Sequence, residues 1–210
     1  MRFAYVLPTL VALGACAALD TRQSESTNSC HKINCMDDDQ ALVVANNFAS
    51  LVSAYTQADA EAVLSPTFSD YSDSVIALID SGCPSGPVPL GVATFSSRAQ
   101  FEQGQGGQPN ITFNIQNVWH NCDTVTLRWK GPQPNPGPGA PSPQAPVTGI
   151  IVLETQFQGF NCPQPFLINT VYSEFNSAAW LYDLNVFMPN CSSSGPPPGS
   201  GTTSGNNTNS

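Results

Sequence analysis

The chain has 210 residues, 40% hydrophobic and only 10% charged, with 15 acidic side chains against 6 basic and a formal net charge of −9. So few Lys and Arg exclude a nucleic-acid binder, which needs them for phosphate contacts, and an anionic membrane surface. The apolar share is enough for one real core and excludes global disorder.

Residues 1–18 read as a secretory signal. Arg2 supplies the positive start, residues 3–12 the apolar stretch, and Ala15-Cys16-Ala17 or Cys16-Ala17-Ala18 the small residues for cleavage. That stretch is too short to span a bilayer, which takes roughly 20 residues, and no later segment is longer. The chain is therefore expected to be extracellular. Residues 19–34 form a loose polar arm. Cys16 leaves with the signal, and an even set remains: Cys30, Cys35, Cys83, Cys122, Cys162 and Cys191. In an exported chain this reads as three disulfides, with the pairing open. No cysteine pair has zinc-knuckle spacing and only His31 and His120 could assist, so no metal is expected. Asn110, Asn190 and Asn206 each open a glycosylation sequon.

The first clear helix starts at Asp37, which with Gln40 fits a capping box. Ala41, Val44, Phe48, Leu51 and Tyr55 share one face at spacings of three and four, carrying the helix to about Thr56. Asp59 can cap a second short helix to Leu64, ended by Ser65-Pro66. Residues 72–79 form a third, closed by Gly82. Residues 97–101 form a fourth, stopped by the glycines at 104, 106 and 107. Then the period changes to two. Ile111, Phe113, Ile115, Asn117 and Trp119 alternate with polar neighbours, and after the Asn121-Cys122-Asp123 turn Val125, Leu127 and Trp129 do the same, giving a hairpin. Residues 131–146 hold seven prolines and can be neither helix nor central strand; they form a surface loop. Strands follow at 147–157 and 166–175, then a short helix capped by Asn176 or Ser177. Residues 192–210 are an uncharged Gly/Ser/Pro/Asn tail expected to be disordered. One folded unit, residues 35–191, is left, with helices first and an antiparallel meander after, an α+β order.

The stretch Asn47-Phe48-Ala49-Ser50-Leu51-Val52-Ser53-Ala54-Tyr55, followed by Asp59-Ala60 and Phe68-Ser69-Asp70-Tyr71, resembles the opening of NTF2-like (SnoaL-like) domains. The ending Val171-Tyr172-Ser173-Glu174-Phe175-Asn176-Ser177-Ala178-Ala179-Trp180-Leu181 resembles their closing strands. More closely, Asp70-Tyr71-Ser72-Asp73-Ser74, Val118-Trp119-His120 and Val147-Thr148-Gly149-Ile150-Ile151 resemble stretches of the secreted NTF2-like proteins of filamentous fungi. The resemblance implies a cone: a strongly curved antiparallel sheet wrapped around the N-terminal helices, with a cavity between them. Family members include cofactor-free dehydratases, isomerases and polyketide cyclases, as well as binding proteins, so fold alone does not decide function.

The family's enzymes place one acid–base pair inside the cone, where burial raises a carboxyl pKa toward neutrality. The candidates here are Asp70, Tyr71, His120 and Glu174, with Asp73, Glu154, Tyr172 and Asp183 also available. His120 is the one histidine in the folded unit, whereas the two-histidine dehydratase mechanism needs a second. Against each stands a structural role: capping for Asp70 and Asp73, packing for Tyr71, solvation or pairing with Arg128 for Glu174, a strand-end contact for His120. Tyr172 and Glu174, grouped on one strand face with Ile168 and Thr170, and Trp119 for its ring area, are the candidates for ligand recognition. Trp119, Trp129 and Trp180 read most simply as core or dimer-interface residues, Arg128 and Lys130 as facing water. No phosphate loop, dinucleotide fingerprint, nucleophile elbow or metalloprotease motif occurs, so no cofactor is expected. The expectation is an exported domain that binds a small apolar ligand in the cone. The alternatives are a cofactor-free lyase, isomerase or cyclase on polyketide-like or terpenoid substrates, and a host-facing interaction factor with an apolar outer sheet face, including a homodimer.

Overall fold

The computed structural model describes residues 34–131, 139–140, 142–186 and 188. The signal, the arm up to residue 33, the tail, Cys30, Cys191, Asn190, Asn206 and most of the proline loop lie outside them.

Helix α1 (Asp38–Ser53) begins where the capping box places it: the Asp37 carboxylate accepts from Gln40 N, and the Gln40 side chain accepts from Asp37 N. Its apolar stripe, Ala41, Val44, Ala45, Phe48, Ala49 and Leu51, is buried. Helix α2 (Gln57–Val63) is capped by Thr56, one turn earlier than expected, because the Thr56 hydroxyl accepts from Asp59 N and leaves Asp59 inside the first turn. Ser65-Pro66 does not simply end that helix but lies in strand β1 (Leu64–Tyr71). Helices α3 (Asp73–Ile79) and α4 (Arg98–Gly106) have Ser72 and Ser97 as caps. Gly104 does not stop α4: a Cβ there would stand 2.6 Å from the Phe95 ring, so the glycine is the residue that lets helix and ring approach.

Strands β2 (Asn114–His120), β3 (Thr124–Gly131), β4 (Val147–Phe157) and β5 (Phe166–Phe175) form the meander, and α5 (Ser177–Asp183) follows with Asn176 as cap. The sheet order is β1-β5-β4-β3-β2. Strand β1 joins β5 in parallel, and the other pairs are antiparallel. Helix α1 touches β2, β3 and β5, so the sheet wraps it. Its inner face carries Val125, Leu127, Trp129, Val147, Ile151, Leu153, Ile168 and Val171, all buried with the α1 stripe in one core. This is the α+β architecture expected, with a parallel edge strand added.

Two β-bulges decide which side chains face in. In β2, Ile115 pairs with Trp129 and Asn117 with Arg128, so Gln116 is an extra residue. In β5, Glu154 pairs with Thr170 but Thr155 with Ile168, so Asn169 is extra. Each insertion reverses the faces beyond it.

Cys35 and Cys122 form a disulfide, and Met36 N donates to Cys122 O at 3.0 Å. Together they tie the entry of α1 to the β2–β3 turn. Cys162 is likewise disulfide-bonded. Cys83 is corrected: it is a free, exposed thiol in the turn region after α3 rather than a member of a bridge. Asn110, the one sequon asparagine among the described residues, is exposed before β2. Among the described residues no helix is long and apolar enough to cross a membrane.

Candidate functional site

Alternation along β1 turns Phe68 and Asp70 to the inside and Tyr71 to the outside. Asp70 is held by two backbone bonds to Phe95: its N–H donates to the Phe95 carbonyl (2.8 Å) and its carbonyl accepts from Phe95 N (3.2 Å). The Phe95 ring meets Phe101 edge-on with centroids 5.7 Å apart, and Phe101 meets Phe68 in the same way at 5.3 Å. Asp70 therefore emerges beside an aromatic wall. Only 5% of it is exposed, and its Oδ1 is buried without a hydrogen-bond partner. Burial, and secondarily the Glu174 carboxylate, push its pKa from 3.8 up to about 7. Of the acids singled out in the sequence, this is the one whose chemistry the fold changes.

The other candidates do not join it. Tyr71 stacks on its cross-strand partner Tyr172 on the outer face, centroids 5.5 Å apart and planes at 20°. Tyr172 was grouped with Ile168, but the Asn169 bulge intervenes: Ile168 is buried and Tyr172 is 44% exposed. Glu174, on the same outer side, neither lines the cone nor pairs with Arg128. Its Oε1 accepts from Asp73 N (3.0 Å), and its Oε2 accepts from Ser74 N (3.1 Å) and closely from the Ser74 hydroxyl, so it caps α3. Trp119 is 52% exposed on the outer face, because the Gln116 bulge hands the inward position to Val118.

His120 is a positioning group at the α1 entry. Its Nδ1 donates to the Asn121 carbonyl (2.9 Å) and its Nε2 to Asp38 Oδ1 (2.8 Å). Both partners are acceptors, so the contacts favour the protonated form of the ring. The Asp38 bond first, then the Asn121 carbonyl, raise its pKa. Asp73 Oδ1 accepts from Gly91 N (2.7 Å) and steadies the loop after α3. Glu154 is exposed on the outer face. Asp183 is fully buried and accepts from Ala145 N (2.8 Å), anchoring the strand entry to α5. Trp129 and Trp180 are core or near-core, as expected, in a cluster where Trp129 stacks on Phe113 with centroids 4.6 Å apart.

Phe95 and Phe101 complete the surroundings of Asp70. Phe95 was invisible to sequence reasoning because it sits in an irregular stretch with no periodicity. The spacing between Phe101 and Ser97 predicted only a helix. Among the described residues no group of three His, Cys, Asp or Glu could hold a metal ion.

A family model for the NTF2-like domain matches residues 34–187. No curated protein sequence matches the chain. Similar solved structures include IdmH of Streptomyces antibioticus, a candidate polyketide cyclase, at 14% identity over 69% of this chain and 98% of that one, TM-score 0.47. A candidate SnoaL-like polyketide cyclase of Jannaschia sp. CCS1 aligns at 13% identity over 80% and 100%, TM-score 0.46. TsrD of Streptomyces laurentii aligns at 12% identity over 72% and 99%, TM-score 0.45. With a curved sheet closed on α1 and a domain match running from the start of the described fold to its end, the chain belongs to the NTF2-like family.

Proposed function

We propose that this domain binds a small, largely apolar molecule bearing one hydrogen-bond donor, which it presents to the buried carboxyl of Asp70. The observation that carries this reading is the Asp70 Oδ1, buried and unpartnered next to Phe68 and Phe95. A buried acceptor left unsatisfied costs about 1–3 kcal/mol, and a hydroxyl or N–H on a ligand removes that cost. An apolar wall with one polar group is the usual make-up of a small-ligand site. The Cys35–Cys122 bridge supports export, since such bonds persist in oxidising compartments. Native mass spectrometry of protein purified from its own culture medium tests the proposal. Retained apolar compound in the wild type and none in Asp70→Leu is the expected result. Equal retention by both would overturn it.

A second reading uses the same carboxyl as a general acid–base for a cofactor-free lyase, isomerase or cyclase reaction. Its support is the pKa of about 7, which lets Asp70 both give and take a proton near neutrality. His120 and Tyr71 face elsewhere, so the second proton-transfer group would be the substrate's own.

The homodimer proposal rests on the outer face. There Tyr71, Tyr172, Val152, Thr126 and Trp119 stand side by side across all five strands, with Ile150 in the next row. A row without charge suits a second copy of the same surface. Sedimentation of wild type against Trp119→Asp reads this: a dimer converted to monomer supports it, and a wild-type monomer at high protein concentration rejects it.

A further inference from the structure

The sequon Asn110-Ile111-Thr112 lies on the connection from α4 to β2. Both ends of this connection are fixed. Helix α4 closes on Gly107, and Gln108 N donates to the Gln105 carbonyl at 3.0 Å. At the other end the Phe113 ring stacks on Trp129, centroids 4.6 Å apart, and the Thr112 carbonyl lies so close to Gly131 that a Cβ there has no room. Between these anchors residues 109–113 are neither helix nor strand. Residues 106–110 and Thr112 are exposed, and Ile111 is half-buried.

Among the described residues the Asn110 and Thr112 side chains make no hydrogen bond. A substituent on the Asn110 carboxamide therefore breaks no contact and projects into water. The same exposure makes the connection vulnerable. Exposed, irregular backbone with small and polar residues is where proteases nick a folded chain, and the exposed run here opens with Gly106 and Gly107. A bulky, solvated group anchored at Asn110 would cover that run.

We propose that Asn110 carries an N-linked glycan and that this glycan shields the α4–β2 connection from proteolysis. The proposal rests on the export reading, supported by residues 1–18 and the Cys35–Cys122 bridge, and is independent of the Asp70 reading. In the transfer step Asn110 Nδ2 bonds to C1 of the first N-acetylglucosamine of a lipid-diphosphate-linked oligosaccharide. The C1–O bond to the diphosphate breaks, the lipid diphosphate leaves with that electron pair, and one amide proton passes to a base of the transferase. Thr112 supplies the hydroxyl that the sequon requires.

The test uses the full chain purified from its own culture, medium and cells separately. After Arg98 the next basic residue is Arg128, and no Lys or Arg follows Lys130, so trypsin separates Asn110 from Asn190 and Asn206. Mass spectrometry of the reduced 99–128 peptide should show hexose and N-acetylhexosamine on Asn110, and Asp at that position after release by peptide N-glycosidase. Asn110→Gln and Thr112→Ala should lose this glycan, and Thr112→Ser should keep it. Native wild-type protein should resist a broad-specificity protease within residues 106–113. Release of the glycan from the folded protein should abolish that resistance, and this arm needs no variant to fold. A secreted chain with bare Asn110 overturns the proposal alone, and a chain held unmodified inside the cell overturns the export reading with it. Cleavage within residues 106–113 that is equal before and after release overturns the shielding role.

Discussion

Asp70 titrates in the wrong place for a carboxylate, and this makes its environment measurable without a ligand. Burial lifts its pKa from 3.8 to about 7. An acid so raised keeps its proton in the native state over a range where the unfolded chain has already lost it. The stabilising effect is complete below pH 3.8 and is lost as pH rises to about 7, beyond which it changes no further. About three pKa units at 1.36 kcal/mol each amount to about 4 kcal/mol. Asp70→Asn keeps the shape and removes the titration. Urea unfolding of both proteins from pH 4.5 to 8.5 should show the wild type losing several kcal/mol relative to the variant as pH rises. His120 also has a raised pKa, so its contribution is present below pH 6.5 and is lost above its folded value. It is common to both proteins and cancels in the difference. Parallel stability curves would refute the buried, unpaired state of Asp70 and remove the basis of both functional readings at that site.

Three further variants probe the frame. The Cys35–Cys122 bridge spans a sequence separation of 87, and the chain-entropy relation gives about 4–5 kcal/mol for such a loop; the double Ala variant should lower the urea midpoint accordingly, and a loss below about 1 kcal/mol would argue against a constrained α1 entry. Gly149→Ala places a Cβ 2.6 Å from Trp129 Nε1 and 2.7 Å from the Glu174 carbonyl oxygen, and overpacking of this kind costs about 1–3 kcal/mol; an unchanged melting temperature would contradict the tight β4–β5 contact. Glu174→Ala removes the carboxylate that caps α3 and should cost about 1–3 kcal/mol, with faster hydrogen exchange at residues 73–76; unchanged exchange there would count against the capping role.

Where local chemistry decides structure, the sequence was readable. The Asp37–Gln40 box marks the start of α1, and alternation through 147–157 and 166–175 gives β4 and β5 with their observed bounds. Strand β1 was not readable, because Ser65-Pro66 and its polar neighbours carry little strand signal and its parallel pairing with β5 is a contact between distant segments. Asp70 was legible as a candidate by residue type and neighbourhood. Its burial was not, since that depends on Phe95 arriving from an irregular loop. The main errors of face share one cause. A period of two was carried across Gln116 and Asn169, and a single inserted residue inverts every later assignment in the strand, so Trp119 was wrongly grouped with Ile115, and Tyr172 and Glu174 with Ile168.

The Asn169 bulge is held from β1: Ser65 Oγ and Thr67 Oγ1 both donate to Asn169 Oδ1 at 2.8 Å. Without it, Tyr172 and Glu174 would turn inward while Val171, now 0% exposed, and Ser173 turned out. That arrangement would bury the Glu174 charge, take the cap from α3 and expose core, each costing more than one irregular ladder step. The bulge also sets the pairing of Val171 with Asp70 and of Tyr172 with Tyr71. Adjacent residues of β1 thereby serve opposite surfaces, Asp70 the proposed ligand wall and Tyr71 the outer row.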